Sequence, residues 1–177
     1  METSPFTTLK VLSHRDVWKN NLMFKIENET PSHCVLLDFQ TARYFPVTID
    51  VLMAVICTTR KAHHEEFYNH YINFYYEALK DELKKFNIEL DTKMTLESFL
   101  KSCDYHKTFA VVYNVIVVMI TMIPQEFFVD FTEDQYRDFA EGDRSKFIMK
   151  LMDEDLIYEE CLIEAVESAI EYIYKLS

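Results

Sequence analysis

Two carboxylates and a carboxamide are the residues of this sequence whose types and spacing suit metal chemistry. Asp16 and Asn21 lie in a polar segment that precedes one apolar run, and Asp38 stands at the end of the next run. Carboxylate and amide oxygens are hard ligands of the kind that Mg²⁺ takes in proteins. The pattern predicts that these three side chains meet around one cation, provided that the chain folds back between them.

The segments that flank these residues predict the fold that brings them together. Residues 22–26 (LMFKI) and 34–37 (CVLL) are apolar runs with strand-like content, and residues 27–32 between them, which include a proline, are a turn signal. Two antiparallel strands joined in this way return the chain to its starting edge. We therefore expect a β-hairpin that places Asp38 beside Asn21.

The order of these residues resembles a known family. H-x-D-x-x-x-x-N followed by D-F-x is the catalytic and metal-binding pair of loops in protein kinases. The surrounding segments VLSHRDVWKNNLMF, LLDFQTARY and PVTID resemble the choline-kinase-like branch, and within it the ecdysteroid kinase-like proteins, whose usual motifs are HGDxWxxN and DFQ. Aminoglycoside phosphotransferases and choline kinases are more distant relatives. The specific match ends near Arg60 and covers about a third of the chain.

The resemblance implies a fold and a role for each matching residue. The fold is mostly α with a small β-hairpin, the carboxy-terminal lobe of a protein-kinase-like fold. Asp16 would be the catalytic residue that orients a substrate hydroxyl, and Asn21 and Asp38 would bind Mg²⁺ and, through it, ATP. His14 would support the loop by packing.

Asp50 has two possible roles. The resemblance implies that its carboxylate accepts backbone N–H groups of the His-x-Asp loop and so holds Asp16 in position. Alternatively, Asp50 faces water near the start of a helix, where the helix dipole favours a negative charge.

The sequence also departs from the family pattern. Its one glycine, Gly142, lies far from the motifs, so these residues contain no Gly-rich phosphate loop. Only thirteen residues precede His14, and Arg15 stands where the branch has glycine. We therefore expect a truncated ATP-dependent phosphotransferase for a small-molecule alcohol, inactive alone and lacking the amino-terminal lobe.

Two other interpretations remain open. One is a non-catalytic kinase-like lobe that acts as an interaction module, or an incomplete gene product. The other is an acidic partner-binding protein that matches kinase motifs by chance.

Composition and charge bound the class of protein. A length of 177 residues and a hydrophobic content of 49% favour a folded chain with one sizeable core. The formal net charge of −12 disfavours nucleic acids and anionic membrane surfaces as partners. The same charge could attract a cationic amine substrate, although an acidic surface more often serves solubility.

The cysteines and the amino terminus indicate a compartment. The sequence has four widely separated cysteines, Cys34, Cys57, Cys103 and Cys161, and no C-x-x-C motif. This pattern favours buried free thiols, although a disulfide remains open. METSPF has neither a basic region nor a long apolar stretch, so it does not resemble a secretory signal. We expect a cytoplasmic protein.

Apolar periodicity predicts the remaining organisation. We expect a single domain over residues 1–177, with a lead (1–10), the catalytic and metal loops (11–40) and a helical subdomain (46–177). Pro46 suits the first turn of a helix over residues 47–57. A second helix is predicted within residues 60–86.

The carboxy-terminal half contains further helix signals. Thr95 is a predicted N-cap for a helix over residues 96–103, and the uncharged residues 108–125 predict a central core helix, with a membrane span as the alternative. Thr132 with Gln135 resembles a capping box, and Gly142 resembles a helix stop. A short helix around residues 147–152 and a final amphipathic helix over 162–173 follow.

Overall fold

The structure is a computed structural model that describes residues 9–174. In this range the chain forms four β-strands and six α-helices. They are β1 (Lys10–Ser13), β2 (Leu22–Glu27), β3 (Thr30–Leu36), β4 (Arg43–Pro46), α1 (Thr48–Ile56), α2 (Lys61–Lys84), α3 (Leu96–Thr121), α4 (Glu133–Glu141), α5 (Ser145–Glu154) and α6 (Leu156–Tyr174). The predicted fold class, mostly α with a small β-hairpin, is confirmed.

The segment that leads into α1 forms a small antiparallel pair, β1 with β4. Lys10 lies opposite Pro46, and Ser13 lies opposite Arg43. Pro46 therefore ends a strand, and the prediction that it opens the helix is wrong. A proline lacks the N–H that a strand interior needs, so a strand end is one of the few sheet positions that tolerate it. Of the predicted lead, residues 1–8 lie outside the described residues.

The predicted hairpin is confirmed as β2 paired with β3, but its turn is shorter than expected. The turn consists of Asn28 and Glu29, whose φ angles of 51° and 63° are the positive pair typical of type I′ turns. Pro31 lies within β3, next to a register shift at Lys25 and Ile26. A bulge of this kind tolerates a proline, which is why the turn signal did not mark a loop here.

The chain divides into two compact units, Met1–Val111 and Val112–Ser177, with the boundary inside α3. We call them the amino-terminal unit and the carboxy-terminal unit and describe each by itself. The single domain expected over residues 1–177, with its three subdivisions, stays a prediction.

The core of the amino-terminal unit is built around α1. Nearly every residue of this helix is buried: Thr48, Ile49, Val51, Leu52, Met53, Val55 and Ile56. Phe99 of α3 is fully buried and lies against two rings of α2, with centroid distances of 6.0 Å to Tyr75 and 5.3 Å to Tyr76. The hydroxyl of Tyr76 lies 2.7 Å from Asp91 Oδ1 and 2.8 Å from the Met94 carbonyl. It therefore ties α2 to the segment that precedes α3.

A polar contact joins the start of α1 to α3. Thr48 Oγ1 lies 3.0 Å from His106 Nδ1 and 3.3 Å from Ser102 Oγ, and His106 Nδ1 lies 2.8 Å from the Ser102 carbonyl. Burial lowers the pKa of His106, and the hydrogen bond to the Ser102 backbone opposes that effect. The net direction favours a neutral imidazole in the folded protein.

We expect His106 to make stability depend on pH. Because its pKa in the folded state lies below the ordinary value of 6.5, the unfolded chain binds more protons as the pH falls through that value. Its contribution is therefore complete above pH 6.5 and decreases below it. Urea denaturation of the wild type and of His106→Asn at several pH values checks this. The stability advantage of the wild type should shrink as the pH falls, and an advantage that is constant with pH would contradict the expectation.

The carboxy-terminal unit has its own apolar cluster. Leu151, Tyr158 and Leu162 are buried at its centre. Partly buried residues packed against them are Val115, Val118, Met119, Met122, Ile123, Phe127, Ile148 and Met152. The hydroxyl of Tyr158 donates to the Met119 carbonyl at 2.9 Å, so the buried ring retains a partner for its polar end.

The predicted signals at the ends of α4 are confirmed. Thr132 and Gln135 form a capping box, with both reciprocal hydrogen bonds present. Gly142 is the residue after the helix, but its φ of −96° is not the left-handed conformation that usually favours glycine. A Cβ atom at this position would lie 2.6 Å from the Asp138 carbonyl oxygen, so the absence of a side chain allows a close approach of the backbone.

One long helix, α3, replaces two expected ones. Thr95 caps it as predicted, since its Oγ1 accepts the Ser98 N–H at 3.2 Å. No proline or glycine interrupts residues 96–121, and the helix ends before Pro124. α3 is long and apolar enough to cross a membrane by length and composition, but core helices of soluble proteins pass the same test. The expectation that the chain has no membrane partner stays a prediction.

The cysteines differ from the expectation at one position. All four are free thiols; Cys57, Cys103 and Cys161 are buried, but Cys34 is exposed. Cys34 lies in β3, where every residue is exposed. The prediction of a buried thiol at Cys34 is therefore wrong, because an apolar run indicates a strand without indicating that something covers it.

Candidate active site

Asp50 fixes the backbone of the loop that carries Asp16. Its Oδ2 accepts the N–H of His14, and its Oδ1 accepts the N–H of Arg15, both at 2.8 Å. Hydrogen bonds to a carboxylate are stronger than those between neutral groups. Two of them, to consecutive backbone N–H groups, fix the backbone conformation of the loop at His14 and Arg15. This is the contact that the resemblance implies for Asp50. Because both carboxylate oxygens accept backbone N–H groups, the alternative in which Asp50 only faces water does not hold.

The loop holds Arg15 in a conformation that usually favours glycine. The φ of Arg15 is 65°, in the left-handed region, where a Cβ atom carries a cost. The family motif has glycine at this position, and glycine adopts the left-handed conformation at little cost. Arginine adopts the same conformation here at a greater cost. The Arg15 guanidinium lies 4.5 Å from the centre of the Phe45 ring, a cation–π contact that offsets part of the cost.

Asp16 and Asn21 are brought into direct contact. Asn21 Nδ2 donates to the backbone carbonyl and to Oδ2 of Asp16, both at 2.9 Å. Since the amide nitrogen faces Asp16, the carboxamide oxygen Oδ1 is the atom oriented to serve as a ligand. Burial and then the negative charge of Asp16 raise the pKa of Cys57 to about 12.

The hairpin register places Asp38 at the same end as Asn21. Leu22 lies opposite Leu36, and Leu37 N–H donates to the Asn21 carbonyl at 2.9 Å. Asp38 is the next residue, with a left-handed φ of 60°. Aspartate tolerates this conformation better than most residues, and non-glycine residues held in it often lie at functional sites.

Two residues that the sequence did not indicate brace the site. Gln40 Nε2 donates to Asp38 Oδ2 at 3.0 Å, and its backbone N–H donates to Oδ1 at 3.4 Å. Thr41 Oγ1 donates to the His14 carbonyl at 2.6 Å. The adjacent D-F-Q motif could have indicated Gln40. For Thr41 the sequence offers no signal, because its partner lies 27 positions away.

His14 links the two loops from inside. Its ring is buried, Nε2 lies 2.7 Å from the Leu37 carbonyl, and the ring meets the Phe39 ring at a centroid distance of 4.7 Å. The residues around Asp16 and those around Asp38 are thus joined by side chains as well as by the hairpin. The supporting and catalytic roles of the site residues stay predictions.

The donor set fits a hard cation. In the described part of the chain, no group of three His, Cys, Asp or Glu side chains is placed to hold a metal ion. Asp16, Asn21 and Asp38 provide instead two carboxylates and one carboxamide oxygen. Mg²⁺ is usually bound through one or two carboxylates together with substrate phosphates and water. The oxygen ligands of these three residues are therefore of the type that a Mg²⁺ site needs.

Comparison with known proteins identifies the family. Residues 2–88, just under half of the chain, match the model of the ecdysteroid kinase-like family. No curated protein and no solved structure matches the chain significantly. The family implies a kinase-like fold and suggests a kinase-like phosphotransferase. The predicted resemblance to the ecdysteroid kinase-like family is therefore confirmed over residues 2–88.

Proposed function

We propose that the chain supplies the catalytic and metal-binding loops of an ATP-dependent phosphotransferase that acts on a hydroxyl group of a small molecule. The observation that carries the proposal is the pair of 2.9 Å hydrogen bonds from Asn21 to Asp16. They place a carboxylate and a carboxamide group side by side on a loop that Asp50 holds. Phosphoryl transfer depends mainly on positioning and on charge stabilisation, which is what such a braced arrangement provides.

Each residue has a distinct role in the proposed reaction. Asp16 orients the substrate hydroxyl and accepts its proton as the oxygen bonds to the γ-phosphorus and ADP leaves. Asp38 and Asn21 Oδ1 would hold Mg²⁺ against the nucleotide phosphates. A bound Mg²⁺ neutralises charge on the transferred group. His14, Gln40 and Thr41 keep the two loops in register.

Thermal denaturation with Mg²⁺–ATP tests the proposal. We expect millimolar Mg²⁺–ATP to raise the melting temperature of the wild-type chain, because a ligand that binds only the folded state stabilises it. Asp38→Asn should remove most of this rise, whereas Asp81→Asn, an exposed residue of α2, should retain it. A wild-type melting temperature that does not respond to Mg²⁺–ATP would contradict nucleotide binding by this chain.

A second candidate function is a non-catalytic lobe that binds another protein. It is favoured by the exposed apolar side chains of β2, among them Met23, Phe24 and Ile26, which are 52–58% exposed. The chain also contains a single glycine, Gly142, so no Gly-rich phosphate loop lies within it. Normal folding without any response to Mg²⁺–ATP would favour this candidate.

We also propose a cytoplasmic location, which the buried free thiols support.

A further inference from the structure

The carboxy-terminal unit contains a groove with no assigned role. It has a volume of about 670 Å³ and lies among the segment after α3, the end of α5 and the start of α6. This volume is within the range of small-molecule sites. We call it the acidic groove and define it by Glu126, Phe127, Asp130, Phe131, Leu151 and Glu154.

The apolar part of the acidic groove can hold a hydrophobic body. Leu151 is buried in the cluster of this unit, and the rings of Phe127 and Phe131 are partly buried, with a centroid distance of 5.1 Å. Phe131 also packs against Phe147, with a centroid distance of 5.5 Å. An aromatic or aliphatic group placed here would bury apolar surface against side chains that other residues already hold in place.

The charge of the acidic groove is unbalanced. Its lining includes four carboxylates, those of Glu126, Asp130, Glu154 and Asp155, and one cation, Lys150. Asp155 is used structurally, because its Oδ1 accepts the N–H groups of Ile157 and Tyr158 at 2.9 and 3.0 Å. Glu126 and Asp130 lie on the same segment as the two rings, so part of the surplus negative charge lies beside the apolar surface.

Lys150 shows how an ammonium group sits in this environment. Its Nζ lies 3.9 Å from Glu154 Oε1 and 5.7 Å from the centre of the Phe127 ring. A carboxylate and a ring face together form the usual surroundings of a bound organic cation. The Lys150 side chain is 58% exposed, so water can solvate its ammonium group when another cation enters.

We propose that the acidic groove binds a small organic ammonium ion with a hydrophobic body. The body packs on Phe127, Phe131 and Leu151, and the ammonium faces Glu126 and Asp130. The charge of the lining disfavours anions such as nucleotides and phosphates. The site lies wholly within the carboxy-terminal unit, so the proposal is independent of the phosphotransferase function.

Titration of the full chain with 2-phenylethylammonium, followed by calorimetry or amide NMR shifts, tests the proposal. We expect saturable binding with a Kd on the order of 1 mM, given the few atoms of the probe. The neutral analogue 2-phenylethanol should bind at least about tenfold more weakly, because it lacks the charge. Equal binding of the amine and the alcohol would overturn the proposal, as would an amine response that does not saturate.

Matched variants locate the site. Glu126→Gln with Asp130→Asn should weaken amine binding about tenfold, whereas Asp153→Asn with Glu167→Gln, the same change of charge on exposed residues outside the acidic groove, should leave it unchanged. Lys150→Met should strengthen binding, since it removes the internal competitor. Equal weakening by both double variants, or weaker binding by Lys150→Met, would overturn the assignment.

Discussion

Asp50→Ala should lower the free energy of unfolding by about 3 kcal/mol, because it leaves two backbone N–H groups without their charged acceptor. Those groups, of His14 and Arg15, are held at 2.8 Å in a partly buried loop. The loss also removes the restraint on the left-handed conformation of Arg15. Urea denaturation followed by circular dichroism measures the change.

Two further variants make the test of Asp50 specific. Asp50→Asn should have an intermediate effect, because one amide oxygen can still accept an N–H while the amide nitrogen faces the other. Asp81→Ala, on the exposed face of α2, should change stability by no more than about 0.5 kcal/mol. An Asp50→Ala effect as small as that of Asp81→Ala would mean that the two hydrogen bonds contribute nothing, and the account of the loop would be wrong.

Phe99→Ala should cost about 3–5 kcal/mol, the range for removing a buried aromatic ring and leaving a cavity. Phe99 is 0% exposed and touches the rings of Tyr75 and Tyr76, so neither α2 nor α3 can close the gap without moving. Phe86→Ala is the matched control, since Phe86 is 73% exposed. Its effect on stability should stay within about 0.5 kcal/mol. Similar losses for the two variants in the same denaturation experiment would contradict the assignment of the core.

The sequence predicted elements whose pattern is local. The β2–β3 hairpin, α1 and the capped helices follow from alternation, helical periodicity and short capping motifs, which act within a few residues. The position of Pro46 was missed because its partner, Lys10, lies far away in the chain. The long α3 was missed because two apolar patterns with a short polar stretch between them do not require a break.

The contacts of the candidate site also divide into local ones, which the sequence predicts, and long-range ones, which it does not. Asp16 and Asn21 lie five positions apart, so a single loop can bring them together. The contact of Asp50 spans 35 or 36 positions and came only from the family resemblance. Thr41 could not be predicted at all, because its hydrogen bond to the His14 carbonyl depends on how two loops meet after the hairpin has formed.

The exposure of the hairpin affects how easily the candidate site opens. Every residue of β3 and all of β2 except Leu22 are exposed, so water reaches both faces of the ladder. Local opening of such a ladder costs little, and its amide protons should exchange with solvent well before those of the buried α1. Asp38 lies two residues after the end of β3, so opening of the ladder should change its distance from Asn21. A ligand that bridges the two loops would therefore be detected first as slowed deuterium uptake along this ladder.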